Sequence, residues 1–166
     1  MTVERSLADR RSLRRLLAAA PVIFILHFLE EAPAFVAWFN ARVDPDISSR
    51  LFWRVNLVAL AITMLVVGLT WLRESAGTLA VAAAWFGFLV AANAAFHIAG
   101  AAADRGYVPG LISAVCLYVP YFALLMTRIG RTGQLHPVAL VVVATIGAIP
   151  MLVHGYRIVF LGTRLF

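Results

Sequence analysis

A cluster of ionisable residues inside a long apolar segment constrains this chain more than any other feature. Residues 16–40 are predominantly apolar and numerous enough to cross a bilayer as a helix. Within them lie His27, Glu30 and Glu31, at positions i, i+3 and i+4, which share one face of a helix. A charged side chain inside the membrane costs several kcal/mol unless it is protonated, paired or bound to a metal. We therefore interpret the cluster as a functional site.

The composition independently indicates a membrane protein. Apolar residue types make up 63% of the 166 residues and charged types only 13%, which is far from the average of soluble domains. All 14 basic residues are arginines, and most lie at the ends of apolar segments, where they anchor helices to headgroups. We therefore expect no nucleic-acid partner. The single Cys116 offers neither a disulfide framework nor a cysteine metal site.

Five apolar segments, each longer than about 18 residues, predict an all-α integral membrane bundle of about five transmembrane helices. The links between them are short, so we expect a single transmembrane helical domain over residues 16–162. A basic cytoplasmic amino-terminal tail over residues 1–15 precedes it. The predicted spans are 16–40, 51–73, 78–103, 109–129 and 137–162.

The arginine distribution also predicts the orientation of the chain. Arginine is enriched in short cytoplasmic loops of membrane proteins, and the predicted tail carries five arginines. We therefore expect a multi-pass protein of a bacterial-type inner or plasma membrane, with its amino terminus in the cytoplasm. An odd number of spans then places the carboxyl terminus on the opposite side.

Several polar residues are predicted to lie at similar depths in the bundle. At about 1.5 Å per residue, Glu30 and Glu31 lie roughly 21–23 Å from the start of the first span, and His97 about 28 Å from the start of the third. We therefore expect a polar pocket in the outer half of the bundle, although asparagines can also hydrogen-bond between helices without further function. The expected substrate-pocket residues are Asn93, Asn56, Tyr118 and Tyr121.

Two short motifs carry a family resemblance. Residues His27 to Glu31 read H-x-x-E-E, residues Tyr107 to Gly110 read Y-x-P-G, and His97 lies between them. This combination resembles the HXXEE family of small polytopic membrane proteins, over roughly residues 20–125. The resemblance implies that these residues belong to the family signature, and it carries no established activity. For Tyr107 itself we expect a position at the membrane interface, as an aromatic anchor.

Three classes of function are compatible with the sequence. One is a metal-dependent membrane enzyme, because imidazole and carboxylate groups are suitable ligands for Zn or Fe. Another is a metal-free enzyme in which a carboxylate and an imidazole transfer protons. The third is a binding or transport protein whose acidic pair holds a cation or couples protons. The candidate metal ligands are His27, Glu30, Glu31, His97 and His154.

We favour an enzyme that acts on a lipid, an isoprenoid or another apolar small molecule arriving from the bilayer. The absence of a detectable internal repeat argues against most secondary transporters. The sequence leaves open which carboxylate acts and whether a metal is bound. The candidate catalytic residues are Glu30, Glu31, His27 and His97.

Overall fold

The computed structural model describes residues 3–43 and 46–165, and all the regular secondary structure in those ranges is helical. Five of its helices contain stretches long and apolar enough to cross a membrane, which confirms the predicted fold class. The last four predicted spans agree with the observed helices to within two residues at each end. The helices are α1 (Val3–Glu31), α2 (Phe35–Asn40), α3 (Ser49–Leu72), α4 (Ala76–Asp104), α5 (Leu111–Arg131) and α6 (Pro137–Leu161).

The first predicted span differs from the structure at both ends. Helix α1 already begins at Val3, so most of the predicted tail is helical; Met1 and Thr2 lie outside the described residues. It ends at Glu31, and a turn over residues 32–34 separates it from α2. Pro33 explains the break, because proline lacks an N–H and disfavours the helical conformation of the residue before it. The acidic pair therefore lies in the last turn of α1, not in the middle of a continuous span.

Helix α2 is fixed against the end of α4 by polar contacts. The indole Nε1 of Trp38 donates a hydrogen bond to Asp104 at 2.9 Å, and Arg42 forms an ion pair with the same carboxylate. Arg42 also donates to the carbonyl oxygen of Trp38 at 2.9 Å. On its inner side, the ring of Phe35 lies 6.4 Å from that of Phe96 of α4, between ring centroids. These contacts hold α2, which follows the end of α1, against α4.

Helix α4 is the most buried of the five spans, and α3 is the least buried. Helices α3, α5 and α6 all pack against α4, and α1 packs against α3 and α5. The contact between α4 and α6 is especially close at Gly147, because a Cβ atom there would collide with the backbone of Ala84. Small residues allow such an approach of helix backbones in membrane bundles.

Two spans contain π-helical segments, which the sequence analysis did not predict. One occupies Gly87–Ala92 in α4, directly before Asn93, and the other occupies Ala114–Tyr118 in α5. A π-helical turn changes the direction of the side chains that follow it, and such turns are frequent at functional sites. Both segments precede or contain residues near the predicted pocket.

Candidate functional site

Three buried side chains from two helices meet at one point. His27 and Glu31 are one helical turn apart at the end of α1, and His97 projects from α4. The nearest oxygen of Glu31, Oε1, lies 3.1 Å from His97 Nε2 and 3.6 Å from His27 Nε2. All three side chains are at least nine-tenths buried, and one ligand atom from each lies within 4.8 Å of the others. We call this set the His–Glu triad.

The orientation of His27 is set by Ser113 in the first turn of α5. The His27 Nδ1 and Ser113 Oγ atoms are 2.8 Å apart, while the same hydroxyl donates to the carbonyl oxygen of Gly110 at 3.3 Å. A hydroxyl that donates to Gly110 can accept from His27 Nδ1–H, and in that neutral tautomer the lone pair of His27 Nε2 faces Glu31. The ring of Tyr118 packs against the His27 ring, with centroids 4.2 Å apart.

The Y-x-P-G segment packs directly against the triad. Gly110 has φ +90°, a backbone conformation that favours glycine. A Cβ atom at this position would lie 2.6 Å from His97 Cε1 and 3.0 Å from Glu31 Cγ. Only glycine therefore fits here, for both backbone and steric reasons. The glycine of the motif lets the backbone lie against the two side chains.

Glu30 lies outside the triad, with its carboxylate turned toward the start of α5. Its carboxylate accepts hydrogen bonds from the Tyr107 hydroxyl at 2.9 Å and from the amides of Ile112 and Ser113 at 3.0 and 2.7 Å. Free amides at the start of a helix are favourable partners for a carboxylate. Desolvation and the adjacent Glu30 carboxylate raise the pKa of Tyr107, so its hydroxyl remains a donor. Glu30 thus ties the end of α1 to the start of α5.

An apolar cavity of about 370 Å³ lies beside the triad, bounded by α1, α2, α3, α4 and α6. His27 and Glu31 form part of its wall, and aromatic rings of Phe24, Phe35 and Phe88 form much of the rest. Leu51 and Val55 of α3 line it from the side and are also exposed on the outer surface of that helix. The polar residues in its wall are His27, Glu31, Asn56, Asn93 and His154.

The structure brings together some of the predicted site residues and separates others. Among the described residues, the set with metal-ligand spacing consists of His27, Glu31 and His97; it contains neither Glu30, whose carboxylate is turned toward α5, nor His154. His154 lines the far side of the cavity, where its Nδ1 accepts a hydrogen bond from the amide of Leu165 at 3.2 Å. The roles assigned to these residues from the sequence stay predictions.

The four predicted pocket residues also divide into two pairs. Asn56 and Asn93 line the cavity, and the Asn93 Oδ1 atom is buried without a hydrogen-bond partner. Tyr118 and Tyr121 are not among the lining residues. Tyr118 instead packs behind His27, and the Tyr121 hydroxyl donates to the carbonyl oxygen of Leu16 at 3.1 Å.

Sequence reasoning did not identify Ser113, and it did not predict the hydrogen bond between Tyr107 and Glu30. Ser113 bonds to both His27 and Glu30, yet an isolated serine in an apolar segment carries no signal of its own. The available signal was its position three residues after Gly110, at the start of a helix whose free amides attract a carboxylate. Tyr107 is half-exposed, as an interface anchor would be, but its hydroxyl is bonded to Glu30.

The fold and the site together define a multi-pass helical membrane protein with a buried His–Glu site beside an apolar cavity. A family model described as "Protein of unknown function with HXXEE motif" matches residues 18–125. The chain belongs to this family, as the motifs predicted. The matched range includes the whole triad, Glu30 and the Y-x-P-G segment, and it ends before α6. Comparisons with curated proteins and with solved structures gave no match.

Proposed function

We propose that this protein is an integral membrane enzyme that acts on a lipid, an isoprenoid or another apolar small molecule bound in the cavity. The observation that carries the proposal is the position of the triad. Two of its three buried side chains, His27 and Glu31, line a cavity whose wall is almost entirely apolar, and His97 lies directly behind them. A few converging polar groups in a large apolar pocket are typical of active sites.

The cost of burying these groups supports a functional role over a structural one. Polar side chains that only join membrane helices are satisfied by their partners, as Thr63 is by Ala59 and Trp85. In the triad, His97 Nδ1 is buried without a hydrogen-bond partner, while His27 Nε2 and His97 Nε2 both face the single Glu31 Oε1 atom, at 3.6 and 3.1 Å, without hydrogen-bond geometry. Such incompletely satisfied buried groups are expensive and are characteristic of reactive sites.

The shape and lining of the cavity support an apolar substrate. A volume of about 370 Å³ accommodates part or all of a small lipid or isoprenoid. Since Leu51 and Val55 belong to both the cavity wall and the exposed surface of α3, the side of this helix offers the shortest path from the bilayer. Asn56 and Asn93 are positioned to orient a polar end of the substrate.

The same proposal includes an orientation. With the amino terminus in the cytoplasm of a bacterial-type inner or plasma membrane, the end of α1 that carries Glu31 lies toward the outer face. The arginines of the amino-terminal segment support this orientation. The substrate would then be converted in the half of the bundle that lies in the outer leaflet of the membrane.

The test is an untargeted mass-spectrometric comparison of membrane lipids treated with purified protein in lipid nanodiscs. Lipid extract from the source membrane is incubated with the wild type, with Glu31→Gln and with His136→Gln. We expect the wild type and His136→Gln to convert the same compound, and Glu31→Gln to leave it unchanged. His136 is the matched control, because it lies at the start of α6, where its ring accepts from the amide of Val138.

A second variant, Ala59→Phe, fills part of the cavity and leaves all three triad residues unchanged. We expect it to lower both conversion of the compound and its co-purification with the protein. Lipid profiles that are identical for wild type and Glu31→Gln would refute the enzymatic proposal. Retention of an unchanged apolar molecule by both proteins would instead favour a binding protein.

A further inference from the structure

We propose that the His–Glu triad binds one divalent transition-metal ion, for which Zn²⁺ is the best fit, through His27 Nε2, His97 Nε2 and the carboxylate of Glu31. A catalytic role for this ion rests on the proposed function, because the site is the same. Binding of the ion is argued from the geometry of the three side chains and can be tested without any substrate.

The hydrogen bond of His27 provides the first argument. In the neutral tautomer that donates Nδ1–H to Ser113, His27 Nε2 carries a lone pair that faces Glu31 Oε1 at 3.6 Å. A lone pair and a carboxylate oxygen repel each other unless a cation or a proton lies between them. The separation is longer than a hydrogen bond between these atoms would be. A bound cation removes the repulsion.

The environment of His97 provides the second argument. His97 is fully buried, and both of its ring nitrogens lack a hydrogen-bond partner although Nε2 lies 3.1 Å from Glu31 Oε1. Leaving a buried polar group unsatisfied costs the full desolvation penalty of that group. A metal ion bound to Nε2 satisfies this atom and the facing carboxylate together. The same ion also satisfies the orphaned nitrogen of His27.

The distances fit a metal ion with little movement of the side chains. Zinc binds histidine nitrogen and carboxylate oxygen at about 2.0–2.2 Å in tetrahedral geometry, so neighbouring ligand atoms lie roughly 3.4 Å apart. The two separations from Glu31 Oε1 are 3.1 and 3.6 Å, close to this value, and the three ligand atoms all lie within 4.8 Å of one another, so the two histidine nitrogens would move closer together around an ion. Two imidazoles and one carboxylate suit zinc or iron better than magnesium or calcium.

The surroundings of the triad resemble the second coordination shell of a metal site. Ligating histidines in proteins usually donate their other ring N–H to a fixed acceptor, which sets the ring orientation. Ser113 Oγ is such an acceptor for His27, and Glu30 holds the amide of the same serine. Three protein ligands leave a fourth position for water or substrate, as in catalytic zinc sites. His27 and Glu31 line the cavity, so this position is adjacent to the proposed substrate site.

The experiment measures metal binding to the protein purified with an affinity tag that contains no histidine. The chelator-treated wild type is incubated with ZnSO₄, desalted and analysed by inductively coupled plasma mass spectrometry. We expect about one zinc ion per chain, as in a three-ligand catalytic site. Glu31→Gln and His97→Gln are expected to lose it. His154→Gln is the matched control, because this histidine lines the same cavity outside the triad, and it should retain zinc.

Thermal unfolding of the wild type provides a readout that needs no variant. Adding ZnSO₄ to the chelator-treated protein should raise the unfolding temperature, because a ligand that binds only the folded state stabilises it. Titration with Co²⁺ should give the visible absorption of a four-coordinate site. Absence of both zinc retention and a thermal shift in the wild type would overturn the proposal. Zinc retention by both triad variants, or its loss in His154→Gln, would equally overturn the three-residue site.

The two proposals can fail separately. Conversion of a lipid by chelator-treated protein would remove the metal from the mechanism and leave the enzyme. Stoichiometric zinc binding with unchanged lipid profiles would leave the metal site and remove the enzymatic function.

Discussion

Ser113 bonds through two different groups to two residues of the H-x-x-E-E motif. Its hydroxyl oxygen lies 2.8 Å from His27 Nδ1, and its backbone amide donates to Glu30 at 2.7 Å. One residue at the start of α5 therefore fixes a member of the triad and the carboxylate that lies outside it. The two adjacent glutamates therefore have different partners. Glu30 accepts from the segment that carries Ser113, and Glu31 belongs to the triad.

The first prediction concerns the hydroxyl of Ser113. Ser113→Ala removes the acceptor for the His27 Nδ1 proton but keeps the amide that binds Glu30. We expect a loss of stability of about 1 kcal/mol. Zinc affinity should fall by roughly tenfold to a hundredfold, as it does when a group that orients a metal-binding histidine is removed. Competition with a chromophoric chelator measures the affinity. Ser113→Thr, which retains the hydroxyl, should restore it; equal affinities for the alanine and threonine variants would contradict the role of the hydroxyl.

The second prediction compares the two adjacent glutamates in metal-free protein. Glu30→Gln weakens the bonds to Tyr107 and to the amides of α5, so we expect a destabilisation of about 1–2 kcal/mol. Glu31→Gln removes a buried charge and should leave stability unchanged or higher. Thermal unfolding in the presence of chelator measures both.

The opposite order of stability for these two variants would contradict the assignment. If Glu31→Gln unfolded the bundle and Glu30→Gln did not, the triad would be structural. A matched pair of glutamine variants is suitable here because both substitutions keep the size of the side chain.

The sequence allowed the spans to be predicted but not the division of roles within the motif. Four spans follow from long apolar segments, and their ends agree closely because short polar links bound them. Glu30 and Glu31 were assigned to one face, since positions i+3 and i+4 both lie near His27. Successive residues on a helix are separated by about 100° of rotation. Because of this rotation, the Glu30 carboxylate points to α5 and the Glu31 carboxylate points to His97.

Other features of the site depend on tertiary packing and could not be derived from local patterns. The approach of Gly110 to His97 joins segments that the sequence analysis connected only through a family resemblance. The π-helical segments in α4 and α5 have no clear residue signal, so a side-chain direction derived from regular α-helical spacing does not apply to Tyr118, which is not among the lining residues. Pro33 did carry a signal for the end of α1, but the apolar segment continues past it to residue 40 and predicts one longer span.

The third prediction concerns membrane topology. After replacement of Cys116 by serine, single cysteines are introduced at Arg131 and Asp46, which are both exposed and lie at opposite ends of the bundle. With a cytoplasmic amino terminus, a membrane-impermeant maleimide should label intact cells at residue 46 and not at residue 131. Position 131 should react only after the cells are opened. The reverse pattern would place the triad toward the cytoplasm and contradict the proposed orientation.

The last prediction separates two reasons for glycine at position 110. Gly110→Ala introduces a side chain at φ +90°, and its Cβ would also lie 2.6 Å from His97 Cε1. Gly133→Ala is the matched control, because Gly133 has φ +69° but nothing within 4 Å of an added Cβ. The control should lose only the backbone contribution, about 1–2 kcal/mol. Gly110→Ala should lose more stability than the control, and it should also lose zinc binding because His97 must move. Thermal unfolding and zinc stoichiometry measure the two effects. Since both variants disturb the backbone in a similar way, equal losses of stability with zinc retained would mean that Gly110 serves the turn alone and does not shape the triad.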